Sequence, residues 1–214
     1  MHSLKINHLA EILKLSELPI EQDFCLEINN RFIEGKGEDF LKELFECLGG
    51  RGNFPLLDRI KFDFKINRYV FIYDDAVHFN RYRLNSLKTS IYQTFAFPWA
   101  DIYKRLCRNY EKECLKAGVQ ERIWKGPPIA GRIFGNSELA GDLSGNGASG
   151  WKLNAYNDAQ YDLISRLHGY KLVRIPMYEN LMIGGSLKRI DELLLRPTED
   201  NSKAILSWLN RKIL

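Results

Sequence analysis

Residues 58–75 read DRIKFDFKINRYVFIYDD, and this stretch decides the fold. Ile60, Phe62, Phe64 and Ile66 alternate with Arg59, Lys61, Asp63 and Lys65, the period-two pattern of a strand with one buried face. Asn67-Arg68 supplies a short turn, and Tyr69 to Tyr73 is a second, wholly apolar strand. The two read as a hairpin that carries Asp63 on one strand and Asp74-Asp75 at the end of the next. An aspartate inside a strand is disfavoured by propensity, which marks Asp63 for notice.

Outward from the hairpin the period changes. Residues 37–48 place Phe40, Leu41, Leu44, Phe45 and Leu48 on one helical face, with acids in the first turn and Gly49-Gly50 behind. Residues 4–18 predict an amphipathic helix, and 1–36 as a whole a helical N-terminal extension. Residues 79–93 read as helical after their first few positions, and 101–117 as one helix. Ile102, Leu106, Tyr110 and Cys114 form the apolar face of that second helix, and Lys104, Arg108, Lys112 and Lys116 its basic stripe. Residues 131–150 hold six of the sixteen glycines and read as a flexible loop, with no Gly-Lys-Ser/Thr to make it a phosphate loop. Residues 151–168 predict a helix closed by Gly169, Tyr170 to Pro176 a buried strand, and 177–214 closing helices over 186–195 and 200–213. The expected fold is a single α/β (α+β) domain over 1–214 with a mixed central sheet flanked by helices.

The chain has 214 residues and a net charge of +4, and 45% of its residues are hydrophobic, which excludes a wholly disordered protein. Neither a membrane-spanning run nor an apolar leader appears, so the expected setting is cytoplasmic, with no membrane partner. The cysteines Cys25, Cys47, Cys107 and Cys114 form no C-x-x-C pair and read as core thiols in helices. The charge is uneven: −5 over residues 1–58, +8 over 59–132 and +1 over 133–214. A basic middle third suits a polyanion or is simply a solvated surface; charge alone leaves the two level.

Two carboxylates at neighbouring strand ends, Asp63 and Asp74, are a pattern that holds one hard cation and a phosphate. His78 reads either as a general base beside such a centre or as a hydrogen-bonded surface histidine. Glu38 reads as a group that orients water or as a helix N-terminal acid, and Asp162 as a supporting carboxylate or a surface residue. Arg81, Arg83 and Lys88, interleaved with Asn80 and Tyr82, suit a nucleic-acid backbone, as do Lys104, Arg108, Lys112 and Lys152. Trp151 reads either as a further nucleic-acid contact beside Lys152 or as a core anchor.

FDFKINRYVFIYDDAVHFNRYR resembles the core hairpin of the PD-(D/E)XK nucleases, in the branch of the very-short-patch repair endonucleases and related bacterial restriction-type enzymes. GEDFLKELFECLGG is similar to that family's first helix, with Glu38 at its glutamate. NDAQYDLISRLHGYKLVRIP is similar to its closing helix–strand unit, with Asp162 at its aspartate. The resemblance implies a restriction-endonuclease-like core and a Mg²⁺- or Mn²⁺-dependent DNA endonuclease of restriction, repair or phage defence. It implies that Asp63, Asp74 and the carbonyl of Tyr73 hold the ion while His78 moves a proton. A small nuclease that cuts both strands commonly pairs with itself, which makes a homodimer one expectation. The chain departs from the common pattern by having Ile72 at the usual glutamate and no following lysine. That departure keeps two other expectations open: an inactive nucleic-acid-binding module of the same fold, and a protein-interaction subunit.

Overall fold

The computed structural model describes residues 2–15, 18–120, 122–139 and 146–213. In chain order the elements are α1 (His2–Lys14), β1 (Ile20–Gln22), β2 (Cys25–Glu27), α2 (Lys36–Cys47), β3 (Arg59–Lys61), β4 (Phe64–Ile66), β5 (Tyr69–Asp74) and α3 (Arg81–Ser86). After these come α4 (Ile91–Thr94), α5 (Ala100–Asn109), α6 (Glu111–Gln120), α7 (Pro128–Phe134), α8 (Ser149–Leu167), β6 (Lys171–Pro176), β7 (Asn180–Ile183), β8 (Ser186–Arg189), α9 (Ile190–Leu195) and α10 (Glu199–Ile213). Short 3₁₀ turns lie at Asn30–Phe32 and Ala76–His78. The protein is α+β, with a mixed four-stranded sheet flanked by helices. No described helix is long and apolar enough to cross a membrane.

The chain folds as two compact units. The first comprises residues 1–26, 61–75 and 169–214 and contains the sheet, in the order β1-β4-β5-β6. β4 pairs antiparallel with β1 and β5, while β6 runs parallel to β5. Asn67 takes φ 52° in the tight turn, a backbone region that asparagine tolerates. Phe64, Ile66, Phe71, Tyr73, Val173 and Ile175 share one core with Leu9 and Leu13 of α1, Leu193 and Leu194 of α9, and Ile205 and Trp208 of α10. Residues 1–36 are therefore not only a helical extension, because Ile20–Gln22 forms the sheet's edge strand. Residues 180–189 are a hairpin, so the helix expected over 186–195 begins only at Ile190. Gly184 and Gly185, at φ 57° and 79°, make the two-residue turn that a helix could not accept.

The strand expected over 59–66 is interrupted at Phe62-Asp63, and the interruption explains the aspartate. Phe64 stands opposite Phe71 in the ladder, yet Asp63 also donates its N–H to the Phe71 carbonyl at 3.0 Å. Two residues thus face one, which is a β-bulge. The Tyr73 N–H then takes the Asp63 carboxylate, at 2.6 Å, as its acceptor. Asp63 completes the ladder with its side chain where the bulge has displaced its backbone.

The second unit comprises residues 27–60 and 76–168 and is built on α8, against which α2, α3 and α7 pack. Trp151, Tyr156, Ala159 and Leu163 of α8 are buried, with Leu41, Leu44 and Phe45 of α2 and Phe134 of α7. The rings of Phe45, Phe134 and Tyr156 lie 5.3–6.4 Å apart. Phe40 is half-buried at the edge of the α2 face. The single helix expected over 101–117 is two, broken at Tyr110, and its buried face is Tyr103, Cys107 and Cys114 rather than Ile102 and Leu106. The stretch 131–150 begins inside α7 and ends inside α8, and 140–145 lies outside the described residues. Cys107 and Cys114 are core thiols as expected, whereas Cys25 lies on a strand and is exposed, as is Cys47 of α2.

Burial raises the Asp63 carboxyl from 3.8 to about 6, opposed by the Tyr73 N–H and by His2, and helped by Asp74 and Asp23. The folded chain thus keeps a proton that the unfolded chain releases. The group's stabilisation is complete below its ordinary value of 3.8 and is lost as pH rises through about 6. Asp63→Asn keeps an acceptor for Tyr73 and removes the buried charge. It is expected to match or exceed wild-type stability at pH 7 and to flatten that pH dependence. Asp63→Ala strands the Tyr73 N–H and is expected to cost about 1–3 kcal/mol in urea unfolding.

Candidate functional site

In the second unit, α8 turns two acids to one side, Asp158 and Asp162, one helical turn apart and both buried. The 3₁₀ turn at Ala76–His78 and the start of α3 bring His78 and Arg83 to them. Asn80 fixes that approach. Its Oδ1 accepts the N–H groups of Tyr82 and Arg83, each at 3.0 Å, and its Nδ2 donates to the Cys114 sulfur at 3.5 Å. The Cys114 thiol in turn donates to the Val77 carbonyl at 3.4 Å, tying α6 to the turn that bears His78.

His78 Nδ1 lies 3.0 Å from Asp158 Oδ2, with the imidazole about a quarter exposed (24%) and the carboxylate nearly closed off (8%). Arg83 donates through Nη2 to Asp162 at 2.6 Å and through Nη1 to the Tyr92 hydroxyl at 2.9 Å, and its Nε lies 3.9 Å from Asp158. The Tyr92 hydroxyl donates to the same Asp162 oxygen. The guanidinium is 5.7 and 5.8 Å from the Tyr92 and Trp99 ring centres, within reach of cation–π attraction. An imidazole and a carboxylate in this arrangement offer donor atoms that could hold a metal ion.

In the first unit, Asp74 closes β5 with its side chain fully buried. Both of its oxygens accept from Arg174 Nη1, at 2.9 and 2.7 Å. The parallel register sets Ile72 beside Arg174, so the arginine reaches along the strand to the acid two residues on. Tyr73 places its ring in the core, 5.6 Å from the Lys5 ammonium, and burial pushes its phenol up. Asp63 is engaged in the bulge.

The other expected residues scatter. Glu38 is exposed in the first turn of α2, where its charge complements the helix dipole. Arg81 pairs with Glu111 at 3.1 Å and Lys104 with Asp101 at 3.0 Å. Lys88, Arg108 and Lys112 are exposed, but the break at Tyr110 divides the stripe between two helices. Two expected backbone contacts are corrected. Arg83 is buried in the network above, and Lys152 is buried beneath the Tyr82 ring, where desolvation and then Arg51 lower its pKa. Asn80 and Tyr82 are core residues as well, and Tyr82 accepts the Ala148 N–H at 3.1 Å. Asp162 is no surface residue. Asp158 is missed by the sequence reading, although its four-residue offset from Asp162, among Ala155, Ala159 and Leu163, is the available signal.

The model of a family of unknown function, DUF7255, matches residues 43–196, and the chain belongs to that family. The matched span contains His78, Arg83, Asp158 and Asp162 together with Asp63 and Asp74, and leaves out Glu38. No curated protein and no solved structure matches the chain.

Asp162→Ala takes from a buried guanidinium the carboxylate to which it donates at 2.6 Å. A loss of about 3–5 kcal/mol in equilibrium unfolding is expected. Tyr92→Phe removes a single hydrogen-bonding hydroxyl and is expected to cost about 1 kcal/mol.

Proposed function

We propose that the chain is a divalent-metal-dependent nuclease that hydrolyses phosphodiester bonds in DNA. The observation that carries this reading is the His78–Asp158 pair, an imidazole and a nearly buried carboxylate 3.0 Å apart. A donor set that includes an imidazole suits Mn²⁺ as well as Mg²⁺. When bound, such an ion generates a nucleophile from water and offsets charge at the phosphate.

His78 Nδ1 and Asp158 Oδ2 are hydrogen-bond partners, and both atoms would have to be free of protons to hold an ion, so metal affinity would fall as pH falls. Asp158 also orients the imidazole, and Arg83 pairs with the neighbouring Asp162. The likeness of the hairpin and its flanks to the PD-(D/E)XK pattern supports the same reading, with its restriction-endonuclease-like core, cytoplasmic setting and homodimeric assembly.

One observation favours a second reading, a binding module of the same fold without cleavage. Both Asp74 oxygens accept from Arg174, and no lysine follows the strand as the common nuclease pattern requires.

Incubation with supercoiled plasmid and Mn²⁺ or Mg²⁺ tests the choice. Nicking is expected from wild type, with His78→Ala and Asp158→Asn at least about a hundredfold slower, the range that loss of a proton-transfer group produces. Isothermal titration with Mn²⁺ is expected to show weaker binding to both variants. Cleavage that is equal in all three proteins overturns the site. Salt-sensitive DNA binding without cleavage leaves the binding module, and neither activity leaves a protein-interaction subunit.

A further inference from the structure

Away from the His78–Asp158 pair, the second unit has an open cleft of about 1270 Å³ between the segment after α6, α7 and the start of α8. Arg122, Lys125 and Arg132 line it with their side chains exposed, and Trp124 lines it half-buried. Asn136 and Asn154 add amides to the wall, and no acid lines the cleft among the described residues. We infer that this cleft binds single-stranded nucleic acid, with phosphates on the three cations and a base stacked on Trp124.

The chemistry of the wall points to that ligand. Three cations with no opposing acid make a site for a polyanion rather than for an apolar or cationic ligand. Trp124, half-buried in the wall between them, adds an indole on which an unpaired base can stack, whereas a duplex keeps its base faces stacked. The helix start contributes little. The Ser149 N–H already donates to Ser137 Oγ at 3.0 Å and the Gly150 N–H to the Trp124 carbonyl at 2.9 Å, so the attraction rests on the side chains.

The platform is also held rigidly. A Cβ on Gly150 would meet the Ile123 carbonyl at 1.9 Å, so only glycine lets the 123–126 turn rest on α8. Arg122 takes φ 53°, a left-handed backbone in which glycine is the favoured residue. Its N–H donates to the Val119 carbonyl at 3.3 Å and the next N–H, of Ile123, to Gly118 at 3.0 Å, the pattern of a helix-terminating turn. Arg122 thus presents its side chain to the cleft from a backbone conformation that glycine adopts more easily.

The inference rests on these residues and not on the cleavage reading. Fluorescence anisotropy with a labelled 15-nucleotide DNA strand, the RNA of the same sequence and the corresponding duplex tests it across a salt series. Wild type is expected to prefer one or both single strands over the duplex. The triple variant Arg122→Ala, Lys125→Ala, Arg132→Ala is expected to flatten the slope of log K against log salt by about 2, at about 0.7 per cation. Trp124→Ala is expected to weaken binding about 5- to 150-fold with the slope unchanged, and Trp124→Phe to recover part of it. Arg122→Gly relieves the backbone, so it should melt no lower than wild type while binding more weakly, which separates lost contact from lost fold. Wild-type affinity in the triple variant, equal binding of duplex and single strands, or no binding of any strand at low salt overturns the inference. The triple variant leaves His78 and Asp158 untouched, so a failed nuclease assay and a failed cleft remain distinct results.

Discussion

Arg83 and Asp162 meet at 2.6 Å with both side chains closed off from water, and much of the second unit is arranged so that they can. A lone guanidinium in the interior is prohibitively costly, so the fold must deliver a carboxylate, hydroxyls and aromatic faces to the same point. α8 supplies the acid, Tyr92 the hydroxyl and Trp99 a ring face, while the Asn80 cap sets the start of α3 and with it the arginine. The same constraint operates in the first unit, where Arg174 on β6 holds Asp74 on the parallel strand beside it. Buried pairs of this kind add little net stability over an apolar pair of equal size, but they penalise every arrangement that separates them. They fix one packing of α3 on α8 and one register of β5 on β6.

Asp158 stands a helical turn before Asp162 and shares its surroundings, but its partner is an imidazole that reaches water. A structural ion pair and a titratable donor pair thus lie side by side on one helix. The first orders the segment that carries His78, and the second offers its atoms to a proton or an ion. Asp63 shows the reverse relation: a residue marked by its chemistry as a metal ligand has a backbone to complete, and its burial raises its pKa to about 6.

Periodicity made α2 and β4 legible, because each buries a face whose spacing repeats along the chain, and unbroken apolar runs marked β5 and β6. The bulge at Asp63 broke a pattern that was otherwise unbroken, since alternation records which face is buried and not whether the ladder keeps step. β8 falls inside the helix expected over 186–195 because four residues are too few for alternation to outweigh the leucines that follow. The Gly184-Gly185 pair before it was the readable turn signal. Arg83 and Lys152 were placed on the surface because basic residues usually lie there. The acid that draws Arg83 inward is 79 positions away.

The sequence by itself determined the α+β class, the hairpin, the buried strand β6, the basic middle of the chain, and Asp74 and His78 as residues worth attention. These depend on local spacing and composition, which a linear chain carries in full. Only the tertiary structure decided which charges are spent on the fold and which are offered to solvent. Asp158 joined His78, Arg83 left the surface, Asp63 became part of the ladder, and Arg122, Lys125 and Arg132 gathered around Trp124. The physical reason is that a charge's role depends on its distance from partners and on its access to water. Both are set through space by residues far apart in the chain.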